Sequence, residues 1–222
     1  MRLDFSNYKI TYTLIAINIL GYIVSSFLSQ SIIDMDIEVL ANMGALYAPI
    51  TVGESEWYRL FTAMFLHGGM THLLMNMFSL YLIGRGVEQY FNAKSYITIY
   101  IFSGLIGGLA SMYMHPASVG IGASGAIFGI FGAMAGFFIA HREKIEAHTK
   151  AFMKDFAIII GINLVLGFSI PSIDVSAHVA GSVVGFIGGF IVSKNPRWLA
   201  LYSIAMSIIM LMTALYLTGQ YA

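Results

Sequence analysis

The chain has 222 residues, 58% of them hydrophobic and only 10% charged, with 11 basic and 11 acidic side chains and no cysteine. A soluble domain carries about 25% charged residues, so too little polar surface is present to face water, and lipid is the main solvent. The balanced charge argues against a nucleic-acid partner, which wants a basic excess, and the absence of cysteine excludes disulfides and thiolate metal sites.

A membrane-spanning helix needs roughly 20 apolar residues. The first candidate is 12–28, preceded by Arg2 and Lys9. Such a start also resembles a signal peptide, but no convincing small-residue cleavage site follows, so it reads as a retained anchor. A long connection, 29–59, carries Asp34, Asp36, Glu38, Glu54 and Glu56. The chain turns apolar again from Trp57 and breaks at Gly68-Gly69. Residues 60–66 are too few to span and read as interfacial or re-entrant. Further spans are expected at 70–91, 95–114, 122–140, 152–168, 175–193 and 198–217. The expectation is an all-α, polytopic bundle of seven helices forming one membrane domain, 1–222, with no repeat or low-complexity tract.

Charge tests this span count independently. Placing the N-terminus in the cytoplasm puts Arg2, Lys9, Arg85, Lys94, Arg142, Lys144, Lys150, Lys154, Lys194 and Arg197 inside, and only Arg59 outside. The outer segments hold the five acids above and Asp174. Lysine and arginine accumulate in short cytoplasmic loops, so the N-terminus is expected inside and the C-terminus outside.

Polar side chains at membrane depth are costly and need a reason. Three groups stand out, all toward the outer ends of their spans: His67, His72 and Asn76; Ser124; and His178. Together they supply the nucleophile, base and hydrogen-bond donors of a serine hydrolase. Ser124 lies in Gly122-Ala123-Ser124-Gly125 at the start of a span, where backbone N–H groups lack intrahelical acceptors and the helix dipole favours an oxyanion. Its bland alternative is a helix cap or a small packing residue.

His178 stands beside Ala177, Gly181, Gly185 and Gly189, a stripe of small residues at every fourth position. Gly125, Gly129 and Ala133 form a second stripe, and backbone-to-backbone packing of the two would bring Ser124 and His178 within reach. The bland alternative for His178 is a histidine hydrogen-bonded within the bundle. His72 and Asn76, four residues apart, share a helix face. They read as oxyanion donors or as interhelical hydrogen-bond formers. His67 is expected to buttress the loop. Asp174, four residues before His178, is expected to serve structure or solvent rather than complete a triad. His141 and His148 are expected to be solvated in a basic loop, and Arg85 and Glu88 to mark the cytoplasmic end of the second span.

These residues resemble the rhomboid intramembrane serine proteases. The likeness rests on His67-x4-His72-x3-Asn76, on Gly122-Ala123-Ser124-Gly125 and on Ala177-His178-x2-Gly181-x3-Gly185. Trp57-Tyr58-Arg59 is similar to an element of the family's first outer loop, and Gly84-x3-Glu88 to the end of its second span. The likeness covers about 12–193, with 198–217 as a helix added at the C-terminal end of a six-helix core. It implies a Ser124–His178 dyad without an acid, and an oxyanion hole from Asn76, His72 and the Ser124 backbone. It implies an aromatic ring, Phe128, beside the catalytic histidine, and an outer loop partly in the membrane. It also implies transmembrane protein substrates and no cofactor. The alternatives are a transporter or channel using the histidines as a proton or ion path, and a metal site, for which neither HExxH nor an i,i+4 histidine pair is present.

Overall fold

A computed structural model of the protein describes residues 7–143 and 174–221. Helix α1 (Lys9–Ser29) ends where Gln30 turns left-handed, at φ 51. The connection after it is not a bare loop. It carries α2 (Ile37–Asn42), α3 (Ala48–Thr51) and α4 (Arg59–Thr62), the last running into a 3-10 turn, Ala63–Phe65. Asp36 caps α2 by accepting the Glu38 N–H at 2.7 Å. Next come α5 (Met70–Tyr90), α6 (Ala93–Met114) and α7 (Ser124–Ala140). After the undescribed stretch come α8 (Val175–Lys194) and, beyond a 3-10 turn at Pro196–Trp198, α9 (Leu199–Tyr221).

The described elements are all helical, apart from isolated bridges pairing Asp34 with Gly69 and Leu46 with Gly120. Helices α1, α6 and α8 and the stretch Pro196–Tyr221 are long and apolar enough to cross a membrane. Helix α7 is apolar but has only 17 residues. Helix α5 has the length, 21 residues, but falls outside that apolar set; it carries His72, Asn76, Arg85, Glu88 and Gln89. The span expected at 152–168 lies outside the described residues, as does His148. The short helices α2 and α3 were not expected, since neither has an apolar period long enough to read. His141 departs from its expected solvated state: it is half-buried, its ring stacks on Phe137 at 4.6 Å, and its Nδ1 is 2.9 Å from the Phe137 carbonyl oxygen.

Helices α7 and α8 form the centre of the bundle, with α6 against both. A Cβ on Gly181 would strike the Gly125 carbonyl, one on Gly185 the Gly129 carbonyl, and one on Gly189 the Ala133 carbonyl. The partners advance together along both chains, so the two helices run parallel. Without side chains between them, the backbones meet directly, which is how small residues drive association in lipid. Ser103 of α6 seats against Gly129 from a third side.

Polar contacts pin the remaining elements. No side chain of its own caps α1; instead the Glu88 carboxylate of α5 accepts the Ile10 N–H at 2.7 Å, the Thr11 N–H at 3.0 Å and the Thr11 hydroxyl at 2.7 Å. Arg59, 7% exposed, staples the connection between α1 and α5: Nη1 donates to the Ala41 and Ala45 carbonyls at 2.6 and 3.0 Å, and Nε to Glu56 at 2.6 Å. Helix α9 buries only Tyr202, Met206 and Leu217 and turns most of its other apolar side chains outward.

Candidate active site

The site forms where the first turns of α5, α7 and α8 meet at one end of the bundle, beside the connection between α1 and α5. Ser124 is the first residue of α7. Ala123 occupies the cap position and no side chain caps the helix, so Ser124 is not a helix cap. Its hydroxyl faces α8: Ser124 Oγ is 2.8 Å from His178 Nε2. The small-residue stripes set this distance, because parallel backbones in direct contact carry both side chains at one level.

His178 is 7% exposed and stacks on Phe128 of α7, with ring centroids 4.1 Å apart and planes 15° apart. Phe128 lies four residues after Ser124, on the same helix face. The ring is thus clamped between a hydroxyl and an aromatic plane. Its Nδ1 is buried without a hydrogen-bond partner among the described residues.

Gly122 holds the approach to Ser124. Its φ of 114 lies in the region that glycine tolerates and other residues resist. A Cβ there would come within 2.8 Å of His72 Nε2, so the His72 ring lies directly over this glycine. The Gly122 N–H donates to the Ala63 carbonyl at 2.9 Å, and Leu46 and Gly120 exchange bonds at 2.8 and 2.9 Å. The connection between α1 and α5 therefore grips the segment that presents Ser124. The same loop fixes the start of α5, where the Met70 N–H donates to Ile33 and the Met35 N–H to Gly68, each at 2.9 Å.

Asn76, 7% exposed, lies one turn beyond His72 and donates its Nδ2 to the His72 carbonyl at 2.9 Å. His67 is wholly buried, with its ring edge-on to His72 at 5.0 Å and both nitrogens unpartnered among the described residues. Gly125, next to the serine, and Gly181, about one turn after His178, form the contact that seats α8 against α7. Asp174 is the cap of α8. Burial pushes its carboxyl up, but hydrogen bonds from Ser111, Ser176 and the Ala177 N–H, with His115 nearby, outweigh this and hold it below the ordinary carboxylate value.

A hydroxyl within hydrogen-bonding distance of an imidazole can lose its proton to it on attacking a carbonyl. The N–H groups of the first turn of α7 have no intrahelical acceptor, and such donors can stabilise a nearby negative charge. Among the described residues no group of three or more histidine, cysteine or acidic side chains could hold a metal ion. Sequence reasoning passed over Ser111 and His115, which face Asp174 from the end of α6. Neither belongs to a motif, and only the proximity of helix ends brings them in.

The Rhomboid domain profile matches residues 54–195. RHOMBOID-like protein 1 of Arabidopsis thaliana is 38% identical over 159 residues, which cover 72% of this chain and 40% of that protein. RHOMBOID-like protein 5 of the same plant is 39% identical over 164 residues, covering 73% and 52%. Rhomboid protease GluP of Bacillus subtilis (strain 168) is 33% identical over 176 residues, covering 79% and 33%. The chain thus spans about half or less of the length of these relatives. With the domain match running from the connection before α5 through Ser124 to the end of α8, this chain belongs to the rhomboid family.

Proposed function

We propose that the chain is an intramembrane serine endopeptidase acting on transmembrane or membrane-anchored proteins. The observation that carries this reading is the 2.8 Å contact between Ser124 Oγ and His178 Nε2 at the shared end of two packed helices. Ser124 Oγ attacks the peptide carbonyl while His178 Nε2 takes its proton. The tetrahedral oxyanion is held by the Ser124 N–H with Asn76 and His72. His178 returns the proton to the leaving amine, the C–N bond breaks, and an acyl-enzyme remains. Water, deprotonated by the same nitrogen, then releases the acyl group. The unpartnered His178 Nδ1 and the engaged Asp174 favour a dyad. Phe128 keeps the imidazole plane fixed, and His67, Gly122, Gly125 and Gly181 hold the surroundings. No cofactor takes part in this scheme.

The decisive test is labelling by a serine-directed fluorophosphonate, together with cleavage of a single-span substrate in proteoliposomes. Wild type is expected to label and cleave. Ser124→Ala and His178→Ala are expected to lose both while remaining folded in detergent. Normal turnover by Ser124→Ala sinks the hydrolase reading and returns the histidines to a transport role.

A further inference from the structure

Asp174 sits four residues before His178, outside the dyad but attached to it. Its Oδ1 accepts the N–H groups of Ser176 and Ala177 at 3.0 and 3.2 Å, and also the Ser176 hydroxyl. Its main-chain carbonyl accepts the His178 N–H at 3.4 Å. Across the helix boundary it meets the end of α6. His115 Nε2 stands 3.9 Å from Oδ1, and Ser111 is near enough to help hold the carboxyl low. On the inner side, the Ala177 carbonyl presses on α6 so closely that a Cβ at Gly107 would lie 2.9 Å from it. The first turn of α8 is thus bracketed, by backbone contact below and by Asp174 above.

The first turn of a helix has N–H groups without intrahelical acceptors and frays unless capped. His178 lies at the edge of that turn. Stacking on Phe128 controls the tilt of its ring but leaves motion along the helix axis unopposed. A carboxylate bound both to the first-turn N–H groups and to a neighbouring helix opposes that motion. It is not placed as a triad acid: it faces backbone N–H groups and α6, while His178 Nδ1 has no partner among the described residues.

We infer that Asp174, with Ser111 and His115, is a positioning latch that ties the first turn of α8 to the end of α6 and so holds His178 Nε2 at bonding distance from Ser124 Oγ. The inference rests on the Ser124–His178 assignment proposed above. A displacement of about 1 Å at a reacting pair can cost up to about a hundredfold in rate. Loss of a cap permits such displacement for part of the time, so the expected effect is about tenfold.

The test uses the full chain in proteoliposomes. Fluorophosphonate titration counts reactive sites and gives the labelling rate per site, while substrate cleavage gives kcat and KM. Asp174→Ala is expected to keep its full count of sites, with labelling rate and kcat about tenfold lower and KM within about twofold. Asp174→Asn, which caps nearly as well, is expected to stay within about threefold of wild type. The double variant Ser111→Ala/His115→Gln leaves the cap in place and removes the tie to α6. It is expected to fall between the two, and it carries the test if Asp174→Ala does not fold. An unchanged rate per site in Asp174→Ala, or in the double variant, overturns the latch and leaves Asp174 a purely structural cap. An Asp174→Asn variant as slow as Asp174→Ala also overturns it, because charge rather than capping geometry would then matter. Labelling that survives Ser124→Ala is a different result: it removes the dyad on which the latch depends.

Discussion

A methyl group at position 185 has nowhere to go, because a Cβ there strikes the Gly129 carbonyl of α7 and no side chain can move aside. Gly185→Ala is expected to force α7 and α8 apart and to cost about 1–3 kcal/mol, the usual range for overpacking. Thermal unfolding in detergent measures the loss, and cleavage should slow with it because the same contact sets the Ser124–His178 distance. Gly219→Ala is the control: nothing lies within 4 Å of its Cβ, so stability should be equal or higher and turnover unchanged. At Gly122 the ratio should reverse. Gly122→Ala meets an unfavourable φ and pushes against His72 Nε2, so turnover should fall by far more than melting temperature does. These glycines were visible in the sequence as a stripe and as part of a motif. Which backbone atom each one admits was not, because a spacing of four residues names a face and not its partner.

Among the elements, α1 depends on a side chain from elsewhere. Its N-terminus has no cap of its own, and Glu88 of α5 fills that role with three hydrogen bonds. Glu88→Ala is expected to cost roughly 1–2 kcal/mol, the scale of a lost N-cap. It should also loosen α1 first, which hydrogen exchange of the backbone around Ile10 and Thr11 would reveal. Sequence reading took Glu88 for a marker of a span's end, since the chain separates it from Thr11 by 77 positions. Helix α8 has a pH-dependent counterpart. The Asp174 carboxyl is held below its ordinary value, so its contribution to stability is full above the unfolded carboxylate pKa. It is lost as pH falls through the lower, folded value. Wild type should therefore lose stability on acidification more steeply than Asp174→Asn, and paired melting curves across the acid range check this.

At the scale of the whole molecule, the charge distribution predicts an orientation. A reporter fused after Ala222 is expected outside and one inserted in 143–150 inside; a cytoplasmic C-terminus would mean a miscounted span. The site lies at the end of the bundle that this orientation turns outward. A transmembrane helix buries each carbonyl in its own hydrogen bonds, so a bond must unwind before it is attacked. Cleavage is expected near the outer boundary of single-span substrates, at small residues with glycine or proline close by, since both weaken a helix. Product masses from substrates with the site moved inward turn by turn, or with glycine and proline replaced by leucine, read this directly. Indifference to both series defeats the expectation. Composition alone determined the solvent, because 10% charge cannot cover a water-soluble surface. The length of the apolar runs determined the described long helices to within a few residues, because a span's length is set by the bilayer. The polar residues that could carry chemistry were legible for a related reason: lipid makes every such residue conspicuous. Tertiary structure decided what touches what. The 2.8 Å Ser124–His178 contact, the Phe128 stack, the His67–His72 ring contact and the turn of Asp174 toward α6 all join residues on different helices or in loops between them. A one-dimensional pattern records which face a residue occupies, whereas contacts between faces depend on the register and direction of whole helices, and these arise only when backbones pack.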